Sequence, residues 1–271
     1  MADGQLRESI GLFDSGVGGL TVWREVIGQL PGWDTLYLAD NAHCPYGPRP
    51  VGEIQALSEE ITRFLLERGA RCIVVACNTA SAAALRHLRV RFPGVPFVGM
   101  VPAVKPAAAL TRSGTVGVLA TPTTLGGRLF SEVVERFAGD VRVLTQECPG
   151  LVERIEAGDL DGPDTEALLR RYLRPLLDGG ADVIALGCTH YPFLAPAIQR
   201  LAGPEVRLLD PSEAVARQVG RVLDGRAGRG TGQHTFYCTS EVHDLRRAVE
   251  RLLGAGAVVH RLRWRNGHLT G

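Results

Sequence analysis

The stretch RCIVVACNTAS, residues 71–81, decides the reading of the whole chain. Its apolar run, Cys72 to Ala76, is too short for a helix and predicts a strand buried on both faces. The run ends at Cys77, the small polar pair Asn78-Thr79 follows, and Ala80-Ser81-Ala82-Ala83-Ala84-Leu85 opens a helix. Cys77 is therefore expected where a parallel strand hands over to a helix N-terminus, the edge at which open α/β sheets bind ligands. The free N–H groups and positive dipole end there favour a thiolate. The construction recurs: Ala181 to Leu186 is apolar apart from Asp182, Gly187-Cys188-Thr189-His190 follows, and a second helical stretch begins near Pro192.

Outward from these two units the chain reads as alternating strands and helices. Ser9 to Phe13 is a strand, Asp14-Ser15-Gly16-Val17-Gly18-Gly19 a glycine-rich turn, and Leu20 to Leu30 a helix. A strand over Thr35 to Leu38 ends in Ala39-Asp40-Asn41, and a loop over residues 42–50 follows. Ile54, Leu57, Ile61, Phe64 and Leu65 give the next helix its apolar face, with Gly69 as its stop. Val95 to Val98 is a short strand, and Val101 to Pro106 is read as a crossing between domains. The pattern then restarts: strand Gly114 to Leu119, turn 120–124, helix Leu125 to Phe137, and strand Val141 to Leu144 leading to Gln146-Glu147-Cys148-Pro149. Helices are expected over Leu151 to Ala157 and Thr165 to Asp178, then the Cys188 unit, then a strand over Val206 to Leu209. Asp210-Pro211 reads as the return crossing, with Ser212 as cap of a helix over Glu213 to Leu223. A polar linker (Gly225 to Gly232) precedes strands over His234 to Cys238 and Val258 to Trp264, flanking a helix over Val242 to Leu253.

Three polar turns repeat in order. Asp14 to Thr121, Asp40 to Glu147 and Cys77 to Cys188 are 107, 107 and 111 residues apart. This predicts an internal duplication: two similar doubly wound α/β domains with mainly parallel sheets, pseudo-symmetric, with an active-site cleft between them bordered by one cysteine from each. The first domain is expected to be discontinuous, residues 1–97 plus 210–271, with 98–209 forming the second.

Composition narrows the chemistry. A formal net charge of +1 over 271 residues implies no bulk attraction to nucleic acid or membrane. No apolar run approaches the roughly 18 residues of a membrane span. The N-terminal residues lack a basic segment followed by an apolar core, so the expected location is cytoplasmic. The six cysteines form no CxxC, against a zinc ribbon or thioredoxin motif, and no resident metal is expected. Lys105 is the only lysine, and its flanking prolines give no reason to make it a Schiff base for pyridoxal phosphate. The 14–19 turn lacks both the Walker and the GxGxxG spacing, which argues against a nucleotide. Arg261 to Arg265 has only Trp264 interleaved and reads as a solvated strand; His87, His234, His243, His260 and His268 read as structural or surface.

Two facing cysteines admit several chemistries. A disulfide suits an oxidising compartment and leaves the polar turns without a reason. A Cys–His nucleophile fits His190 beside Cys188 but needs one cysteine only. Symmetric proton transfer uses both: one thiolate removes a proton from one face of a carbon, and a thiol returns one to the other face. Thiols ionise near a pKa of about 8.5, and moving that value by one costs about 1.4 kcal/mol, so a site can hold either state.

The segments GLFDSGVGGLTV, YLADNAHCPYG, VVACNTASA and ALGCTHYPFL resemble the signatures of the bacterial glutamate racemases, within the aspartate/glutamate racemase family. The resemblance runs from Ile10 to the strand near Asp210 and weakens after Gly225. It implies an isomerase that interconverts L- and D-glutamate for peptidoglycan synthesis with no cofactor, and a family in which homodimers are common. By match of motif, Cys77 and Cys188 correspond to the family's two catalytic cysteines, the first taking the proton of D-glutamate and the second that of L-glutamate. Asp14 corresponds to the acid beside the first, and Glu147 and His190 to helpers near the second. Substrate contacts are implied at Asp14, Ser15, Tyr46, Gly47, Asn78, Thr79, Thr121, Thr189 and His190. Cys44 has no expected catalytic part. Two other functions stay open at this point: racemisation of aspartate or a hydantoin on the same frame, and ligand binding without turnover.

Overall fold

The computed structural model describes residues 8–223, 230–253 and 257–271, which leaves most of the expected linker outside the described residues. In chain order the elements are β1 (Ser9–Asp14), α1 (Leu20–Gln29), β2 (Asp34–Ala39), α2 (Val51–Glu67), β3 (Ala70–Val75), α3 (Asn78–Arg91), β4 (Phe97–Val98), α4 (Val104–Leu110), β5 (Thr115–Ala120), α5 (Pro122–Leu125), α6 (Arg128–Phe137), β6 (Arg142–Glu147), α7 (Leu151–Glu156), α8 (Pro163–Asp178), β7 (Val183–Gly187), α9 (Ala195–Ala202), β8 (Arg207–Leu209), α10 (Ser212–Val222), β9 (His234–Cys238), α11 (Val242–Leu253), β10 (Val259–Arg261), β11 (Arg263–Arg265) and β12 (His268–Thr270).

Two sheets carry the fold. The first has the order β10-β9-β2-β1-β3-β4 and the second β6-β5-β7-β8. All pairings within both are parallel. The four strands of the second sheet follow the same order as β2-β1-β3-β4 of the first. Thus Asp14 ends and Thr121 follows equivalent central strands, and Cys77 and Cys188 follow equivalent neighbours.

The central strands are mostly apolar because helices cover both faces. Ile10, Leu12, Cys72 and Val74 pack against α1, α10 and α11 through Trp23, Val215, Val219 and Leu245. Phe13, Leu38, Ile73 and Val75 point the other way, against α2 and α3. The alternation within one strand is the period of two that puts successive side chains on opposite faces. The second sheet does the same, Val116 and Val118 toward α4 and α6, Leu119 and Leu186 toward α7, α8 and α9. Trp23 is fully buried and donates its Nε1–H to Thr35 Oγ1 at 2.9 Å, which ties α1 to β2 without leaving an orphan donor.

Several expected boundaries move. Val98 and Met100 pack in the first sheet's core, and the expected crossing 101–106 already contains the start of α4. The helix expected over Leu125 to Phe137 is two helices, interrupted at Gly126-Gly127. The chain after Cys188 passes through a 3-10 turn, Tyr191–Leu194, before α9. Ser212 is the first residue of α10 rather than its cap; Asp210 Oδ1 accepts its N–H at 2.9 Å. The last expected strand breaks at Leu262, whose side chain is buried, into β10 and β11, and β11 pairs antiparallel with β12. Among the described residues no helix is long and apolar enough to cross a membrane.

Candidate active site

The carboxyl ends of the two sheets meet. Thr79 Oγ1, at the head of α3, lies 2.9 Å from Thr121 Oγ1. Thr123 Oγ1 donates to the Gly47 carbonyl at 2.7 Å, and Thr189 Oγ1 reaches Asp14 Oδ1 at 3.5 Å. Asp14, Ser15, Asn78, Thr79, Thr121, Thr189, His190, Cys77 and Cys188 are all buried in this junction.

Cys77 is the N-cap of α3, and its Sγ accepts the Ala80 N–H at 3.4 Å, the place a serine or aspartate commonly fills. Burial pushes this thiol well up from its ordinary value, and the Asp14 charge adds to the rise. Asp14 is fully buried and accepts backbone N–H bonds from Gly19 at 2.9 Å and Gly16 at 3.3 Å. Burial raises its carboxyl, against the charge of His190 and the hydrogen bonds from Gly19 and the Cys77 thiol. The first thiol therefore sits protonated against a carboxyl group.

The second thiol has the opposite company. Cys188 Sγ lies 3.8 Å from His190 Nδ1, and His190 Nε2 lies 2.6 Å from Glu156 Oε1. Burial alone would lower the imidazole; its contacts with Cys188, Cys44 and Glu156 outweigh that and hold it well above its usual range. Burial would likewise raise Glu156, but His190, the Val17 N–H and Asn41 outweigh it and lower the carboxyl. Both effects describe one buried imidazolium–carboxylate pair, set beside the second sulfur.

Glu156 is not among the residues expected from the sequence; Glu147 is, and the structure does not bring it here. Glu147 is exposed at the end of β6. Glu156, on the last turn of α7, instead accepts from Val17 N at 2.8 Å and from Asn41 Nδ2 at 3.2 Å and meets His190. The signal that could have found it is local: Glu156 falls one turn after Val152 and beside Ile155, both buried, on the flank of the apolar face.

The remaining expected residues divide. Asn78 is buried at the head of α3, and neither its amide oxygen nor its amide nitrogen has a protein partner. Such a group is costly unless something else bonds to it. Tyr46 is buried with its hydroxyl donated to Asp40 Oδ2 at 2.7 Å, so it shapes the loop rather than offering a free hydroxyl. Asp40 also accepts from Thr239 and from Trp264, each at 2.7 Å, tying the loop to the last strands. Lys105 lies over the Phe137 ring, 4.9 Å from its centroid. Two glycines hold the turn against the second sheet: a Cβ on Gly16 would overlap the Glu156 carboxylate, and one on Gly18 the His190 ring. Cys44, Glu156 and His190 bring one donor atom each within 4.8 Å of one another.

Comparison with known proteins places this arrangement among relatives. Residues 21–219 match the family described as Asp/Glu/Hydantoin racemase. The chain is 52% identical over 257 residues to a protein of Pseudomonas aeruginosa named glutamate racemase, covering 94% of this chain and 97% of that one. The Escherichia coli glutamate racemase, solved with L-glutamate and the activator UDP-MurNAc-Ala, superposes with a TM-score of 0.85 at 33% identity, covering 98% of this chain and all (100%) of that one. The Francisella tularensis glutamate racemase, solved with D-glutamate, gives 0.82 at 28% identity, covering 96% and 98%.

Proposed function

This chain belongs to the Asp/Glu/Hydantoin racemase family, and from that premise we propose that it interconverts L-glutamate and D-glutamate, supplying the D-enantiomer for peptidoglycan. The reaction runs by two-base proton transfer. In one direction the Cys188 thiolate takes the α-proton of L-glutamate, the C–H electron pair delocalises into the α-carboxylate, and the Cys77 thiol delivers its proton to the opposite face. In the other direction the roles reverse. His190, held by Glu156, supports the sulfur charge on one side, and on the other Asp14 accepts the hydrogen bond of the Cys77 thiol. Ser15, Asn78, Thr79, Thr121, Thr189 and the backbone around Gly47 bind the substrate. The unpartnered Asn78 amide and the N–H groups at the head of α3 suit a carboxylate and its developing enediolate charge.

The observation that carries the reading is the pair of buried thiols at equivalent turns of two sheets, one beside a carboxyl, the other beside an imidazolium. We assign the sheets to two domains as expected from the sequence, with the first junction moved from residue 97 into the segment 101–103, since Val98 and Met100 pack with the first sheet. The location expected for this activity is the cytoplasm, and the assembly expected from the family is a homodimer, checked by sedimentation.

The test is circular dichroism of D-glutamate, then of L-glutamate, with purified protein, a reductant and no added cofactor. Decay of both signals to zero supports the proposal, and Cys77→Ala or Cys188→Ala should each abolish it with the melting transition kept. Full activity in either variant sinks the two-base mechanism. No decay with glutamate, but decay with aspartate, moves the substrate.

A further inference from the structure

Cys44 takes no substrate proton in the racemase reading, yet it touches His190, which supports the second thiol. It follows the short turn Asn41–His43, is half-buried, and lies 3.9 Å from Ser15 Oγ. Its Sγ, a ring nitrogen of His190 and a carboxylate oxygen of Glu156 gather within 4.8 Å. We propose that these three side chains form an inhibitory binding site for a soft divalent cation, zinc by its donor chemistry.

One sulfur, one imidazole nitrogen and one carboxylate oxygen are the donors zinc accepts, and three protein ligands leave a fourth tetrahedral position for water or a substrate atom. Magnesium and calcium call for oxygen ligands throughout and do not fit this set. Zinc–sulfur and zinc–nitrogen or –oxygen bonds of about 2.3 and about 2.0 Å put donors roughly 3.5 Å apart, so Cys44 Sγ has to close by about 1 Å. His190 binds through Nε2, which already faces Glu156, and Nδ1 stays beside Cys188. On binding, the Cys44 thiol and the imidazolium each release a proton to solvent, and zinc takes the place of the proton between Nε2 and Oε1. Gly16 leaves the room that this group occupies, since a Cβ there would overlap Glu156 and come within 3.1 Å of Cys44 Sγ. Zinc draws Glu156 from its bonds with Val17 N and Asn41 and shifts the His190 ring that lies 3.8 Å from Cys188 Sγ, so racemisation falls. The inhibition rests on the racemase reading above; the binding does not.

The experiment titrates metal-stripped protein with zinc chloride, reading occupancy by competition with a chromophoric chelator and racemisation by circular dichroism. Wild type should bind one equivalent, lose activity in step with occupancy, and recover it with EDTA. Cys44→Ser, read against its own zinc-free rate, should need at least about 10-fold more zinc for both binding and inhibition, since even outer partners of a metal site are worth 10–100-fold. The Cys77→Ala/Cys188→Ala double variant, inactive by design, should still bind one zinc as tightly as wild type, which separates the metal site from the racemase reading. Equal zinc response in Cys44→Ser, loss of binding in the double variant, or no stoichiometric binding by wild type would each overturn the proposal.

Discussion

Replacing Glu156 with glutamine tests how the second thiol is supported. Glutamine can keep the hydrogen bond from Val17 N, now 2.8 Å to the carboxylate, so the α7 contact with the first sheet survives. It cannot pair with an imidazolium, so one of the contacts that raise the buried ring is lost and the hold on its charge weakens. Two unit charges separated by the 3.8 Å between Cys188 Sγ and His190 Nδ1 attract by about 4 kcal/mol at an effective dielectric near 20. Loss of about half of this from the state in which Cys188 carries charge lowers kcat by about 10–10². Enantiomers are equal in energy, so kcat/KM must fall by the same factor in both directions. The asymmetry appears elsewhere: abstraction from L-glutamate becomes slower, and the deuterium isotope effect rises with α-deuterated L-glutamate but not with the D-enantiomer. The assay is circular dichroism with each substrate, with and without α-deuterium, beside a thermal melt to check the fold. A folded variant that keeps kcat within about threefold of wild type in both directions refutes the reasoning, because the ion pair then carries none of the barrier.

The same pair sets a pH window for stability. His190 is raised from 6.5, so its contribution is complete below that value and lost as pH climbs through the higher folded one. Glu156 is lowered from 4.5, so its contribution is complete above that value and lost as pH falls through the lower folded one. The gap in melting temperature between wild type and Glu156→Gln should therefore be widest between these two ordinary values and narrow outside them. Gly18→Ala places a methyl group in the His190 ring and should cut activity by at least about 10²-fold, the scale set by misplacing a catalytic group; steady-state kinetics would read this, and wild-type rates would mean the ring is not held there. Asp182 accepts from Thr111 Oγ1, Arg112 N, Ser113 N and Ser113 Oγ, and although burial opposes it these bonds bring its carboxyl down to about 2. Asp182→Ala should cost about 1–2 kcal/mol in urea unfolding, discounted for its solvent contact. That cost is present above pH 3.8 and fades as pH falls through about 2, and an unchanged midpoint at neutral pH would dismiss it.

How much of this was legible differs by kind of signal. Apolar runs closed by small polar turns are local features, and they marked β1, β3, β5 and β7 along with Asp14, Cys77, Thr121 and Cys188. The repeated spacing of those turns corresponds to the strand order the two sheets share. Glu156 was not legible in the same way, because its partners Val17 and His190 lie 139 and 34 residues away and nothing local asks for them. Glu147 looked better because it ends a strand, as Asp14 and Asp40 end or follow theirs; repeat symmetry and the motif match pointed to it, while the structure leaves it exposed. The break at Leu262 was hidden for another reason: an alternating run reads as one strand whether or not its partner changes midway from parallel β9 to antiparallel β12. The role of Asp40 depended on Thr239 and Trp264, about 200 residues on, and became visible only with the sheet assembled.

The pairing of β2 with β9 joins Thr35 to His234 across nearly the whole chain. During synthesis every strand of the second sheet, β5 to β8, emerges before the first sheet can acquire β9 and β10. Until then β2 presents an open hydrogen-bonding edge, and Tyr37 lacks Phe236, its neighbour across that edge. The sheet begun first is thus finished last, so a ribosome that stalls late releases a chain able to complete its inner half and prone to stick by its outer one.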